Sequence, residues 1–318
     1  MNRLERILDH KRAEVAMRRC ERPTALLREA IAQQAAAQTH GPTAGPAPSH
    51  ANSGKATRSL RASLLETARA ARHPAVIAEF KRRSPSAGAL RDAGAQDPAS
   101  DVGQIALGYA NAGAAGLSIL TDEAFFGGSA ADLMVARETV ALPLLRKDFI
   151  LEPYQLLEAK LWGADVVLLI AECLSASELG DLHQQALALG LEVLVEVHDA
   201  ASLAKLPGDL AMVGINHRDL RDFSVDIRRG PERLPALRKA CPDALFVAES
   251  GIKSAADAQL LLYAGFDALL IGSLFMREPD PAAALSEFLR ACGGRVDRMA
   301  LPNASADTSA SNEQMFNL

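Results

Sequence analysis

Four cysteines in 318 residues, Cys20, Cys173, Cys241 and Cys292, stand far apart, and no two of them form a Cys-x-x-Cys pair. That spacing suggests neither a disulfide framework nor a zinc site, and it fits a reducing compartment, so the cytoplasm is the expected location. A basic excess is also missing: 34 lysines and arginines against 39 aspartates and glutamates give a formal net charge of -5. Nucleic-acid binding usually shows as a basic face or stripe. Here any anionic ligand must be met by cations gathered locally. No apolar run approaches the ~18 residues of a membrane span, and the opening stretch MNRLERILDHKRAEV is charged throughout. Neither a nucleic acid nor a membrane is an expected partner, and His198 and His217 lack metal-ligand spacing.

What the chain does have is eight short apolar runs, each closing on a polar residue or a glycine: Ala75–Phe80, Gly116–Leu120, Leu142–Arg146, Val166–Ile170, Glu192–Val195, Met212–Ile215, Leu245–Ala248 and Ala268–Ile271. Their near-continuous Val, Ile and Leu content suits parallel strands covered on both faces, with the intervening stretches as crossover helices. The expected fold is α/β, a single TIM (β/α)8 barrel with an N-terminal helical extension. Glycines in Asn111-Ala-Gly, Trp162-Gly-Ala-Asp and Tyr263-Ala-Gly-Phe-Asp read as helix C-caps before a strand. Leu4, Ile7, Leu8 and Val15 fall near a 3.6-residue period, predicting a helix over 4–18. A second helix is expected from Leu60 to Arg72. Between them, Ala, Gln, Gly, Pro, Ser and His dominate from Ala30 to Thr57, and a flexible insertion is expected at about 33–57. These readings divide the chain into an extension over 1–72, a barrel over 73–292 and a frayed tail over 293–318.

In a parallel barrel the strands' C-terminal ends converge on one mouth, so chemistry is expected where the runs stop. The first stops at Glu79-Phe80-Lys81, the third at Arg146-Lys147, the fifth at Glu196, the sixth at Asn216-His217-Arg218, the seventh at Glu249-Ser250-Gly251 and the eighth at Gly272-Ser273. A lone strand-end charge is more often a solvated rim group. Lysines and glutamates on several strands around one opening instead supply the facing proton donors and acceptors of acid–base chemistry. Glu172, after the fourth run, reads as a rim charge. Ser250, Gly251, Gly272 and Ser273 are small residues followed by helix-forming sequence, in the loops that commonly hold a phosphate in this fold, and Ser273-Leu-Phe-Met is a candidate for the short helix there.

Six segments carry a resemblance to a known family: Ile77-Ala-Glu-Phe-Lys-Arg-Arg-Ser-Pro-Ser, Leu117-Ser-Ile-Leu-Thr-Asp-Glu-Ala-Phe-Phe-Gly-Gly-Ser, Leu145-Arg-Lys-Asp-Phe-Ile-Leu-Glu-Pro-Tyr-Gln, Leu194-Val-Glu-Val-His-Asp, Val213-Gly-Ile-Asn-His-Arg-Asp-Leu and Ala248-Glu-Ser-Gly-Ile. In this order the chain resembles indole-3-glycerol-phosphate synthase, and the N-terminal helix is similar to that family's extra element. The resemblance implies ring closure, decarboxylation and dehydration of 1-(2-carboxyphenylamino)-1-deoxyribulose 5-phosphate, without metal or cofactor. It implies Lys147 as the acid at the substrate carbonyl and Glu196 as the base of the dehydration. Lys81 would neutralise the substrate carboxylate or act as a second acid. Glu79 and Glu249 would hold the lysines, with Asn216 and Arg218 as polar contacts to substrate. Ser84 and Phe125 are further implied contacts, though Phe125 and Phe126 could equally pack a loop. Ser250, Gly251, Gly272 and Ser273 match the phosphate cradle. One departure is that no lysine stands near Ala87 in the first loop.

A lysine crowded by other cations, here Arg146 or Lys81, is a better acid than a free one, which is the expectation for Lys147. A phosphoribosylanthranilate isomerase would need a Cys/Asp pair at the strand ends, where a Lys/Glu set stands instead. A non-catalytic relative should have lost Lys147, Glu196 or Lys81. The partner expected is a small phosphorylated molecule, with monomer and homodimer both open.

Overall fold

The computed structural model describes residues 2–39, 58–70, 73–84, 88–90 and 98–293. Helix α1 (Arg3–Glu21) starts in a capping box, the Asn2 side chain accepting from the Glu5 amide and Glu5 returning the bond, and it buries Leu4, Ile7, Leu8, Lys11 and Val15. Helix α2 (Thr24–Thr39) follows, so residues 33–39, expected to be part of a flexible insertion, are helical. The composition misled because alanine buries little yet is the best helix former. Leu27 is the anchor, packing with Val15, Tyr154 and Leu157. The rest of the expected insertion, 40–57, and the expected tail from 294 onward lie outside the described residues. Helix α3 (Leu60–Arg69) is held at its start by Glu192, whose carboxylate accepts from the Ser59 hydroxyl and the amides of Leu60 and Arg61.

Eight parallel strands close into a barrel: β1 (Ala75–Phe80), β2 (Gly116–Leu120), β3 (Leu144–Lys147), β4 (Val166–Ile170), β5 (Glu192–Val197), β6 (Met212–Asn216), β7 (Leu245–Glu249) and β8 (Ala268–Ile271). Each pairs with the next, and β1 pairs with β8 through Ala75↔Ala268 to close the ring. The fold is a TIM barrel with helices between strands and N-terminal helices added. Alternation sorts the residues. Ile77, Leu145, Leu168, Leu194, Met212, Val247 and Leu270 form the inner cluster, joined by Leu4, Ile7 and Leu8 of α1 and Leu60 and Leu64 of α3. Val76, Leu144, Val167, Val195, Val213, Phe246 and Leu269 face the surrounding helices.

Strands β3, β5, β6 and β7 each run one or two residues past the end read from sequence, because the polar residue there stays in the ladder: Lys147 opposite Leu120, Glu196 opposite Ile170, and Asn216 opposite Glu249. β3 starts at Leu144 rather than Leu142, just beyond Pro143, which has no amide to donate. The expected helix-ending glycines Gly113, Gly163 and Gly265 all have positive φ.

Candidate active site

The inner face of the barrel is mainly apolar up to the C-terminal ends of the strands, where Glu79, Lys147, Glu196, Asn216 and Glu249 take over on five strands. Each sits two residues after an inner or axial position of its own strand, so one alternation that builds the core also aims the polar groups. They open into a cavity of about 610 Å³. Lys81 and Ser84 also line it, as do Arg218, Ser250, Gly251, Gly272 and Ser273, so these sequence-predicted residues share one space.

The cavity has two chemically different ends. Phe126, Phe149, Leu168, Leu220 and Phe223 give an apolar side, where Phe126 and Phe149 lie with ring centroids 6.2 Å apart. Ser250, Gly251, Gly272 and Ser273 mark the other, joined by Lys253 and Arg277, which sequence reading did not single out. Ser250 and Gly251 both hold positive φ, 64° and 80°, and Ser273–Met276 forms the short helix expected after β8. Phe125 does not line the cavity: its ring meets His10 of α1 edge-on at 5.5 Å, because the turn of helix that exposes Phe126 to the site turns Phe125 toward α1. Phe149, which does line it, lay inside a recognisable motif, but a phenylalanine following a charged pair carries no periodic signal of its own.

Lys147 Nζ stands 2.9 Å from Glu196 and 3.2 Å from Glu249. Lys81 Nζ donates to Glu79 at 2.6 Å, and Ser118 donates to the same carboxylate at 3.3 Å. Asn216 donates to Glu196 at 2.8 Å and accepts from the Arg218 amide at 2.9 Å, which fixes its amide orientation. Gly214, two residues before Asn216, leaves the space that Glu249 fills, since a Cβ there would collide with Glu249 Oε1.

These contacts set the protonation states. Burial disfavours the charged form of Lys147, but Glu196, Glu249 and Glu79 outweigh it and hold the ammonium's pKa above its ordinary value. Burial likewise opposes the Glu79 carboxylate, and Lys81 and Lys147 outweigh it, so its pKa falls. Glu249 goes the other way: burial, reinforced by the charge of Glu196 and only partly offset by Lys147, pushes it up to about 8. The site therefore holds an ammonium, a carboxylate and a carboxyl that retains its proton near neutrality.

The expected crowding of Lys147 by cations is not what the structure contains. Arg146 points out of the barrel, donating to the Gln155 carbonyl at 2.7 Å and to Asp148 at 2.9 Å, with its guanidinium 4.2 Å from the Trp162 ring centroid. Alternation along β3 separates it from Lys147. His198 is buried behind the site, its Nδ1 3.0 Å from the Asn216 carbonyl and its Nε2 3.2 Å from Asp219. His217 Nδ1 lies 2.9 Å from the Glu249 carbonyl. Both rings thus lie against the backbone of residues that line the cavity. Glu172, expected at a solvated rim, instead accepts from the His198 amide at 2.5 Å and is largely enclosed, which raises its pKa. Among the described residues no group of three or more His, Cys, Asp or Glu could hold a metal ion, and no helix is long and apolar enough to cross a membrane.

Comparison with known proteins places this geometry. Two solved structures share the barrel at low identity: the tryptophan synthase alpha subunit of Legionella pneumophila, 12% identical with a TM-score of 0.51 over 73% of this chain and 96% of that one; and 3-hexulose-6-phosphate synthase of Salmonella typhimurium, 13% identical with a TM-score of 0.51 over 69% and 99%. They speak to the fold alone. The chain is 43% identical over 284 residues to indole-3-glycerol phosphate synthase of Azoarcus sp., covering 89% of this chain and 97% of the relative. It is 42% identical over 236 residues to the protein of the same name from Bacteroides thetaiotaomicron, covering 74% and 85%. A family model described as indole-3-glycerol phosphate synthase matches residues 4–288, and the chain belongs to that family.

Proposed function

We propose that the chain converts 1-(2-carboxyphenylamino)-1-deoxyribulose 5-phosphate to indole-3-glycerol phosphate, a carboxy-lyase step of tryptophan biosynthesis, in the cytoplasm and on a small phosphorylated substrate. The observation that carries this reading is a partly buried ammonium, Lys147, shared by Glu196 and Glu249 in a cavity lined by both apolar rings and small residues. The substrate has the matching parts: a benzoate ring, a ketone and a phosphate. The phosphate would lie against Ser250, Gly251, Gly272 and Ser273, and the ring against Phe126 and Phe149.

In the first step the ring carbon bearing the carboxylate bonds to the ketone carbon, and the carbonyl oxygen takes a proton from Lys147. The site raises the lysine's pKa, so its contribution is a full positive charge fixed beside the developing alkoxide rather than an acid strengthened by neighbouring cations. Next the carbon–carboxylate bond breaks, its electron pair stays in the ring system and carbon dioxide leaves. Lys81 supplies positive charge to that carboxylate beforehand and a proton to the departing hydroxyl afterwards. Glu196 takes the proton released as water leaves and the five-membered ring becomes aromatic. Asn216 holds Glu196 in place, and Arg218 meets the polar chain of the substrate.

The test is to mix the purified chain with the substrate, without metal or cofactor, and follow indole absorbance and fluorescence. Rapid indole formation is expected. A folded protein that binds the substrate but forms no indole would refute the reading.

A further inference from the structure

Lys11 lies in α1, far from the reacting groups in sequence, yet its side chain is 0% exposed. Its ammonium reaches three carboxylates from three separate segments: Glu14 at 2.8 Å, Asp122 at 2.9 Å and Asp148 at 3.0 Å. The three contacts are ion pairs, drawn together by charge rather than by hydrogen-bond geometry. Burying that many charges is costly and carries no net stability by itself, but it fixes geometry where each partner is tied to something else. Here each is.

Asp122 follows β2 and caps the short helix Glu123–Phe126, accepting from the Phe125 amide at 2.8 Å. Asp148 follows Lys147. Its Oδ1 accepts from the Phe149 amide at 2.8 Å, and its Oδ2 accepts from Thr121 at 2.7 Å and Arg146 at 2.9 Å. The two carboxylates that Lys11 joins thus hold the backbone beside the two rings, Phe126 and Phe149, that wall the apolar end of the cavity. Neighbouring residues of α1 reinforce the contact: His10 meets Phe125 edge-on, and the Arg3 guanidinium lies 5.3 Å from the Phe223 ring centroid.

We propose that Lys11 is a positioning residue for the aromatic half of the site: by joining Asp122 to Asp148 it sets the gap between Phe126 and Phe149, and with it how tightly the substrate's benzoate ring is held. This rests on the reaction proposed above for the choice of ring, and on the ion-pair geometry for the rest. Lys11 touches no reacting atom and acts through the loops after β2 and β3.

The experiment compares Lys11→Met with the unaltered chain for two ligands: the substrate reduced at its ketone, which cannot cyclise, and inorganic phosphate, which probes only the cradle. Trp162 fluorescence checks that the charge cluster's far side stays packed. Affinity for the reduced substrate is expected to fall by about tenfold or more, the scale on which small misplacements act, while phosphate affinity is unchanged. Adding Phe149→Ala to Lys11→Met should cost less than Phe149→Ala alone, because the ring has already lost its position. Equal losses for both ligands, or undiminished binding of the reduced substrate, would overturn the proposal. If Lys11→Met does not fold, Lys11→Met with Asp122→Asn, which removes one stranded charge and keeps a helix cap, is read by the same criteria. Failure of both to fold would assign Lys11 a purely structural role and overturn the proposal. Binding of the reduced substrate without indole formation by the unaltered chain would refute the reaction and leave the Lys11 comparison standing.

Discussion

Arg146 and Lys147 are adjacent in the chain and lie on opposite sides of the barrel wall. Arg146 is buried outside among Asp148, Glu158 and Trp162, whereas Lys147 faces inward to Glu196 and Glu249. Lys147 consequently has acidic groups rather than cations for neighbours, and the charge of Glu196 and Glu79 helps hold it as an ammonium.

Replacing Lys147 with Met should lower turnover by roughly a hundredfold or more, since it removes the charge that meets the alkoxide. Affinity for the reduced substrate should change little, because the ring and phosphate contacts remain. Single-turnover rates beside equilibrium binding decide it, and unaltered turnover would remove Lys147 from its assigned role.

Glu249 makes stability depend on pH in a defined window. Its folded-state pKa, about 8, lies above its ordinary 4.5, so the folded chain holds the proton more tightly than the unfolded one. Its contribution is complete below about 4.5 and is lost as pH rises through about 8. Glu249→Gln cannot ionise, so its stability relative to the unaltered chain should improve steadily across that window and level off on either side. Denaturant unfolding at intervals from pH 4 to 9, roughly the span over which such a group exchanges its proton, would show no such trend if Glu249 titrated normally.

Gly214→Ala would place a methyl group against Glu249 Oε1. Overpacking of this kind costs about 1–3 kcal/mol, and the carboxylate should swing away from Lys147. Activity should fall by more than the folded fraction does, which parallel measurement of turnover and thermal unfolding would reveal.

Phe126→Ala and Phe125→Ala should separate cleanly. The first removes a wall of the cavity and should weaken substrate binding by about 1 kcal/mol, roughly fivefold. The second removes a contact with His10 outside the cavity and should act mainly on stability. Comparable effects of both on KM would contradict the placement of these rings.

The barrel was legible because each strand is covered on both faces and so reads as an apolar run; all eight were found from that pattern. Lys147, Glu196, Asn216 and Glu249 were legible as the polar residues ending those runs, and the structure shows why the run seemed to stop early. Lys147, Asn216 and Glu249 are the last residues of their strands and Glu196 the last but one, so the ladder continues through the residue at which the apolar run stops. The orientation of Arg146 against Lys147 depends on the inward phase of β3, which a four-residue strand hardly displays. The continuation of α2 to Thr39 was hidden because an alanine-rich helix and a low-hydrophobicity linker share a composition. Lys11 was hidden more thoroughly, since a lysine on an amphipathic helix normally faces water. Two of its three partners lie more than a hundred residues on, at Asp122 and Asp148.

The pairing of Ala75 with Ala268 bears on how the chain is made as well as on how it is held. A ribosome releases β1 first and β8 last, so until β8 emerges the growing sheet keeps an open edge on β1, exposing unpaired backbone groups to any neighbouring strand. The final strand closes that edge and also brings Gly272 beside Glu79, where a Cβ would stand 2.6 Å from the carboxylate. Completion of the sheet and completion of the cavity's mouth are thus the same event in synthesis, and a chain stopped short of β8 would be an adhesive fragment.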